Sequence, residues 1–503
     1  MSNPLYDRLL GPYENDARLL IERPDGSRLS YAQTIALSGR IANALKQQGV
    51  VPGERVAVQV AKSVEALAVY FACVRLGAVF LPLNTAYTPA EVGYFLGDAE
   101  PRVFLADPKA EAALAPVAAG VGAALLTLDQ EGGGSLAVAA ANQPAEIETA
   151  ARAPDDLAAI LYTSGTTGRS KGAMLTQANL LSNARTLTDL WGFTQADCLL
   201  HALPIFHTHG LFVATNVILA AGGSMIFLPR FDLESVLRLL PKATSMMGVP
   251  TFYTRLLASP DFTAEICGQM RLFTSGSAPL LAETHVAFEA RTGHRILERY
   301  GMTETNMNTS NPLEGERKAG TVGLRLPDVE LRIVDPASGQ AVAEGEVGVI
   351  EVKGPNVFKG YWRLPEKTRE EFRPDGFFIT GDLAYRDPDG YVVIVGRAKD
   401  LIISGGFNVY PKEVEEALDA LPGVLESAVV GLPHPDFGEG VVAFIVPKQG
   451  SSLQEANILA ALAGELAKFK QPKRIFFLEE LPRNAMGKVQ KNVLRDSKPK
   501  LFG

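Results

Sequence analysis

Leu161 to Leu175 reads LYTSGTTGRSKGAML. Five small hydroxyl side chains (Thr163, Ser164, Thr166, Thr167, Ser170) and three glycines (Gly165, Gly168, Gly172) lie between two apolar ends, with Arg169 and Lys171 among them. Glycines let backbone N–H groups converge, hydroxyls add donors and lysine adds charge, so the stretch suits oxyanions. It is not a P-loop of the Walker type. Counted from Gly165, that pattern needs glycine where Ser170 stands and Ser or Thr where Gly172 stands; only Lys171 fits.

Outward from this stretch the chain alternates strands and helices. ERVAVQV (Glu54–Val60) reads as a strand, SVEALAVYFACVRLG as a helix ending at Gly77, and AVFLPL as a second strand. That rhythm predicts a parallel sheet covered by helices. It recurs where Leu233, Val236, Leu237 and Leu240 share one helical face and TSMMGVP follows as a strand. Gly210 to Leu228 carries no charge over a bilayer-spanning length, but Gly222-Gly223 breaks it, so a buried helix followed by a buried strand is expected instead of a membrane span. The segment Leu128–Asp156, with QEGGGS, reads as surface connection.

After Gly320 the texture changes to strands joined by turn tetrads, which predicts an antiparallel β subdomain. A helix is expected from Pro411, where Val414, Ala417, Leu418 and Leu421 share a face, and another over NILAALAGELAKF. The expected class is α/β: a large N-terminal domain (1–397) of sheets packed with helices plus the antiparallel subdomain, and a small mobile α+β C-terminal domain (398–503).

Composition narrows the function. The 503 residues are too many for one core, and 47% hydrophobic with 21% charged residues is ordinary for a globular protein. A net charge of −8 without a basic stripe before the C-terminal tail argues against nucleic acid. Three scattered cysteines, Cys73, Cys198 and Cys267, fit neither a disulfide framework nor a metal spacing, and the early acidic residues do not read as a signal peptide; a cytoplasmic setting is expected.

Further stretches carry chemistry. ERYGMTETNMNTSNP (Glu298–Pro312) sets Tyr300 before a Gly-Met-Thr-Glu turn, FFITGDLAYRD sets Asp382 after an apolar strand, GRAKDLI sets Arg397 at a strand end, and LPRNAMGKVQK sets Lys488 in a turn. Each alone has a bland reading: a cap, a turn residue, a surface pair, a solvated lysine. In this order YTSGTTGRSKG, YGMTET, TGD, GRAKDLI, GGFNVYPKEVE and PRNAMGK resemble the core motifs of the acyl-adenylate-forming superfamily, which holds acyl-CoA synthetases, luciferases and peptide-synthetase adenylation domains. HALPIFHTHGLFVATNV, GVPTFYTRLL and EVKGPNVFKGYWRLPEKT are similar to its malonyl-CoA synthetase branch.

The resemblance implies a two-step ligation: a carboxylate attacks the α-phosphate of ATP, pyrophosphate leaves, and the CoA thiol displaces AMP. It implies that Thr163, Ser164, Gly165, Thr166, Thr167, Gly168 and Lys171 cradle the β- and γ-phosphates, that Thr303 donates to the α-phosphate and that Glu304 holds Mg²⁺. It implies Tyr300, with Gly301, on adenine opposite Gly276, Ser277 and Ala278, and Asp382 with Arg397 on the ribose. Lys488 is expected at the reacting oxygens, Lys399 at a hinge, and Ser404, Gly405 and Gly406 along the pantetheine. Lys468, Lys470, Lys473 and Arg474 form a basic cluster that could meet CoA phosphates or be an ordinary solvated face.

For the acid, a second carboxylate needs a cation, because an unpaired buried charge is costly. Arg255, in the otherwise uncharged run GVPTFYTRLLASP, is the expected holder, with His207 as a pocket gate, His209 beside it, and Ser277 and Met302 as pocket wall. Malonate, and methylmalonate next, is the expected substrate. A synthetase for another small or aromatic acid, an adenylation enzyme loading a carrier protein, and a non-catalytic nucleotide-binding protein stand as rivals. No carrier-like GxxS module follows Lys488, which favours free CoA. A lysine acetyltransferase and deacetylase acting on Lys488 are the expected protein partners.

Overall fold

The computed structural model describes residues 2–163, 170–484, 487–499 and 501–502. The chain is mixed α/β and divides into two compact units, Met1–Glu330 with Lys353–Phe378, and Leu331–Val352 with Ile379–Gly503.

Two sheets organise the first unit. One has six strands in the order Ala124–Thr127, Val103–Ala106, Arg55–Gln59, Val79–Pro82, Leu157–Thr163, Lys171–Thr176. All neighbours in it are parallel except the last pair. The other has nine, in the order Leu324–Arg325, Asn306–Ser310, Leu297–Met302, Leu272–Ser275, Ser245–Gly248, Cys198–His201, Ser224–Phe227, Leu19–Glu22, Arg28–Ser30. Its middle is parallel and its two edges are antiparallel.

The β-α-β reading of residues 54–83 holds. Helix Val64–Leu76 starts on the Ser63 hydroxyl, which accepts from Ala66 N–H at 3.0 Å, and stops at Gly77 in the left-handed region (φ 65°). Every residue of it except Glu65 is buried. A helix apolar on all sides packs between layers, and its six largest apolar side chains each contribute roughly 1.5–3 kcal/mol on leaving water. The stretch 210–228 is the expected helix and strand, with one addition: His209–Thr215 is a wide, π-type turn before helix Asn216–Ala221 and strand Ser224–Phe227. Among the described residues no helix is long and apolar enough to cross a membrane.

Two readings need correction. Residues 128–156 are not loose: Ser135–Ala141 is a helix with Leu136 and Ala140 buried, and Pro144 and Glu146 carbonyls accept from Asn43 Nδ2. Its glycines hid a packed segment whose apolar positions are few. The helix over NILAALAGELAKF is shorter, Glu455–Leu462, because the small residues that follow break into turns.

The second unit holds a four-stranded sheet (Glu330–Val334, Gly348–Lys353, Phe378–Arg386, Val392–Arg397) and a five-stranded one built on the long hairpin Val424–His434 with Gly438–Pro447. Helix Pro411–Asp419 buries Val414 and Leu418, as its spacing predicts. By packing, the four-stranded sheet joins the C-terminal residues: Lys412 Nζ donates to the Ile394 carbonyl at 2.9 Å. The compact division therefore falls before that sheet, not after Arg397.

Candidate active site

In the nine-stranded sheet, four parallel strands end along one edge at His201, Gly248, Ser275 and Met302. Loops at the carboxyl ends of parallel strands are where open α/β sheets hold ligands. Gly276-Ser277-Ala278 and Gly301-Met302-Thr303-Glu304 extend the ends of two neighbouring strands, with Ser275 beside Glu298 in register. The six-stranded sheet supplies Thr163 and Lys171, also in register with each other. Ser164, Gly165, Thr166, Thr167, Gly168 and Arg169 lie outside the described residues.

Thr303 and His207 line one cleft with Asn84, Tyr87, Tyr162 and Phe206. Burial pushes the His207 imidazole down to about 4, so it is neutral at neutral pH. Tyr300 is buried in strand Leu297–Met302. Glu304 is buried, and its Oε1 lies 3.1 Å from Tyr361 Oη. That hydroxyl is also 2.7 Å from Glu371 Oε2, and Glu371 Oε1 receives Lys171 Nζ at 2.8 Å. Lys171 Nζ stands 4.1 Å over the Tyr361 ring. Nothing in the sequence marks Tyr361 and Glu371: they lie in or just beyond KGYWRLPEKT, with no spacing that sets them apart.

The acyl region departs from expectation. Arg255 is exposed in the last turn of helix Pro250–Leu257, because Tyr253 and Leu256 take the inward face and leave it between them on the outside. A buried cation here is Arg299, only 2% exposed. Burial pulls its guanidinium down to about 10, so it stays charged at neutral pH. Its Nε and Nη2 have no hydrogen-bond partner among the described residues. Those two nitrogens form one edge of the guanidinium, the edge that grips a carboxylate with two parallel bonds.

Among the described residues, other buried groups at these strand ends and the adjoining loops are also unpartnered. His209, 1% exposed, has Nδ1 3.2 Å from Ser277 Oγ and leaves Nε2 unpartnered. Burial first, then the charge of Arg299 and the neighbouring His201 and His207, hold that imidazole neutral. Ser275 Oγ and Asn306 Nδ2 are likewise buried and unpartnered. The buried carboxylate of Glu298 favours the charged form of Arg299, yet the open guanidinium edge and the idle donors remain costly unless a further hydrogen-bonding anion belongs there. The sequence carries one clue: in ERYG, Arg299 is a charge inside a strand, next to Tyr300.

In the second unit, Arg397 Nε meets Asp382 Oδ1 at 2.6 Å, with the two in register on adjacent strands and Asp382 buried. Ser404 and Phe407 pair across Gly405-Gly406, whose φ of 60° and 83° make the two-residue hairpin turn only glycine takes easily. Lys399 is exposed on the turn Ala398–Asp400, and Asp400 accepts from Arg495 Nη2 at 2.6 Å. Lys488 is exposed at the end of a turn in which Asn484 Oδ1 accepts the Lys488 N–H at 3.0 Å. In the basic cluster, Lys470 is paired with Glu413 and Arg474 with Glu455, Lys473 lies 5.0 Å over the Phe437 ring, and Lys468 is exposed.

Residues 12–362 match the family model described as AMP-binding enzyme, and residues 413–488 match that of the AMP-binding enzyme C-terminal domain. The chain belongs to the AMP-binding enzyme family. This AMP-binding enzyme is 58% identical to MatB from Rhodopseudomonas palustris, solved with ATP bound; each chain is covered in full, with a TM-score of 0.98. It is 36% identical to a malonate–CoA ligase of Arabidopsis thaliana, over 94% of this chain and 85% of the relative. It is 37% identical to an indoleacetate–CoA ligase of Aromatoleum aromaticum, over 93% and 92%. Among the described residues of the AMP-binding enzyme, no three His, Cys, Asp or Glu side chains gather as a metal-binding group.

Proposed function

We propose that this chain is an ATP-dependent malonate–CoA ligase that forms malonyl-CoA, AMP and pyrophosphate through malonyl-adenylate, with methylmalonate as a second substrate. The observation that carries the dicarboxylate reading is the unpartnered Nε–Nη2 edge of buried Arg299. Malonate keeps one carboxylate when the other reacts, and that group needs a charged, bidentate partner. Arg299 takes that role in place of Arg255, with His209 Nε2 as a second donor and His207, Ser277 and Met302 as pocket wall. The likeness to malonate–CoA ligases supports the same acid.

For the nucleotide, residues 163–168 and Lys171 hold the β- and γ-phosphates, Thr303 the α-phosphate, Tyr300 with Gly301 and residues 276–278 the adenine, and Asp382 with Arg397 the ribose. The likeness to ATP-bound MatB supports this. Mg²⁺ fits Glu304: a buried carboxylate beside a hydroxyl is a hard oxygen donor, and Mg²⁺ commonly takes one or two carboxylates plus substrate phosphates. When bound, the ion neutralises phosphate charge.

Lys488 supplies a cation to the reacting oxygens during adenylation, Lys399 serves as a hinge, and Ser404-Gly405-Gly406 admit pantetheine. Acetylation of Lys488 by a lysine acetyltransferase, reversed by a deacetylase, would remove that charge.

The test is pyrophosphate release from ATP, Mg²⁺ and CoA with malonate, methylmalonate, succinate, acetate, octanoate and 4-coumarate, with Arg299→Met and Arg255→Ala in parallel. Malonate turnover that collapses in Arg299→Met and survives in Arg255→Ala is expected. Preference for a monocarboxylate would discard the malonate reading and keep the adenylation chemistry.

A further inference from the structure

Near the phosphate stretch, the first unit holds a closed chain of contacts from Lys171 to Glu304. Lys171 opens strand Lys171–Thr176. Its Nζ is fixed on two sides, by Glu371 Oε1 at 2.8 Å and by the Tyr361 ring at 4.1 Å. Glu371 follows helix Pro365–Glu370, and of the three glutamates there it alone is turned inward: the side chains of Glu366 and Glu370 are 87% and 65% exposed, that of Glu371 22%.

We propose that Glu371 is a positioning residue for the nucleotide's triphosphate: one carboxylate oxygen holds the Lys171 ammonium in place and the other accepts the hydrogen bond of Tyr361, whose ring lies against that ammonium. The inference rests on the reading of Lys171 as a phosphate-binding cation.

Three physical points support it. A lysine on a flexible stem has much rotamer freedom, so an unheld Nζ would lose that entropy on meeting a phosphate. Ammonium has three donors and Glu371 uses one, so holding it does not exhaust it. A lone carboxylate near phosphates would repel them, but Glu371 Oε1 meets two ammonium groups, Lys171 at 2.8 Å and Lys367, which also pairs with Glu370, at 3.3 Å, so its own charge is compensated.

The proton count gives the second half. Tyr361 Oη has one hydrogen and two carboxylates within reach, at 2.7 Å for Glu371 and 3.1 Å for Glu304. The shorter contact, to Glu371, is the stronger hydrogen bond.

The experiment compares ATP and AMP binding to the full chain by titration calorimetry with Mg²⁺ present. AMP lacks the β- and γ-phosphates, so it reports the rest of the site. Glu371→Gln is expected to weaken ATP at least about tenfold and AMP by less than about twofold. An unchanged ATP-to-AMP ratio would overturn the proposal. So would tighter ATP binding, which would make Glu371 a competitor of the phosphates. Should Glu371→Gln not fold, Glu371→Asp withdraws the carboxylate while keeping the charge and is read the same way. Tyr361→Phe keeps the ring under Lys171 and is expected to lose less than Glu371→Gln; an equal or greater loss would place the role on the hydroxyl and overturn the assignment. A wild type that binds neither nucleotide overturns the nucleotide reading itself, and this proposal with it.

Discussion

Gly276 and Arg299 stand so close that a methyl on Gly276 would lie 2.2 Å from Nη1 and 2.3 Å from Cζ of the guanidinium. Gly276 is not among the residues in the left-handed region, so its backbone allows alanine, and the three atoms nearest such a methyl all belong to Arg299. Gly276→Ala is therefore a steric probe of one side chain. Because Arg299 is enclosed, the displaced guanidinium cannot settle nearby. We expect the KM for malonate to rise at least about tenfold, and more than the KM for ATP, in steady-state pyrophosphate assays. The reverse order would mean that the change is felt through adenine.

Ser277 adopts φ 73°, the left-handed region, while its Oγ stays 3.2 Å from His209 Nδ1. Ser277→Gly and Ser277→Ala both remove the hydroxyl, but only alanine keeps the Cβ that this conformation penalises. The glycine variant is expected to be the more stable of the two by about 1 kcal/mol. Both should raise the KM for malonate alike. Urea midpoints measure the first statement, and equal midpoints would contradict it.

The difference between Arg255 and Arg299 marks how far the sequence could be read. Periodicity and order of elements gave the α/β class, helix Val64–Leu76 and helix Pro411–Asp419, because burial imposes a period on the residues that carry it. Asp382 and Arg397 were legible as partners through motif order, and they pair directly. Burial of a single charge has no period. An arginine in an apolar helix and one in an apolar strand look alike on paper; only the packing of Tyr253 and Leu256 turns the first outward. The contact of Lys171 with Glu371 spans two hundred residues, and no local pattern encodes it.

Lys62 is buried, and its Nζ donates to the His201 carbonyl at 2.8 Å and stands 2.8 Å from His201 Nδ1 and 4.2 Å over the Phe227 ring. No carboxylate is among these partners. Burial holds its amine well below the ordinary value of 10.5. Between the folded and unfolded values the unfolded chain binds the extra proton, so stability rises with pH through that window and levels off above about 10.5. Lys62→Met removes this slope. Between about pH 7 and pH 9.5 the urea midpoint of the wild type should climb relative to that of the variant. Parallel curves would show that Lys62 titrates normally.

Backbone contacts hold Lys488 and the described residues beside it. Asn484 N–H donates to the Lys488 carbonyl at 2.9 Å, Asn484 Oδ1 accepts the Lys488 N–H at 3.0 Å, and Arg483 pairs with Val489 as an isolated bridge. Truncating the side chain leaves these backbone contacts in place, so Lys488→Ala should fold as the wild type does. A cation at the reacting oxygens matters only while charge develops on them, and one well-placed group of this kind is worth roughly 3–4 kcal/mol, or two to three orders of magnitude in rate. We expect Lys488→Ala to lose ATP–pyrophosphate exchange by about that factor while still forming malonyl-CoA from supplied malonyl-adenylate and CoA. The second half-reaction starts with the adenylate already made and needs no charge there. Equal loss in both halves would place Lys488 in binding or folding, and Lys488→Gln, which mimics acetylation by removing the charge at similar length, should match the alanine variant if the charge is what counts.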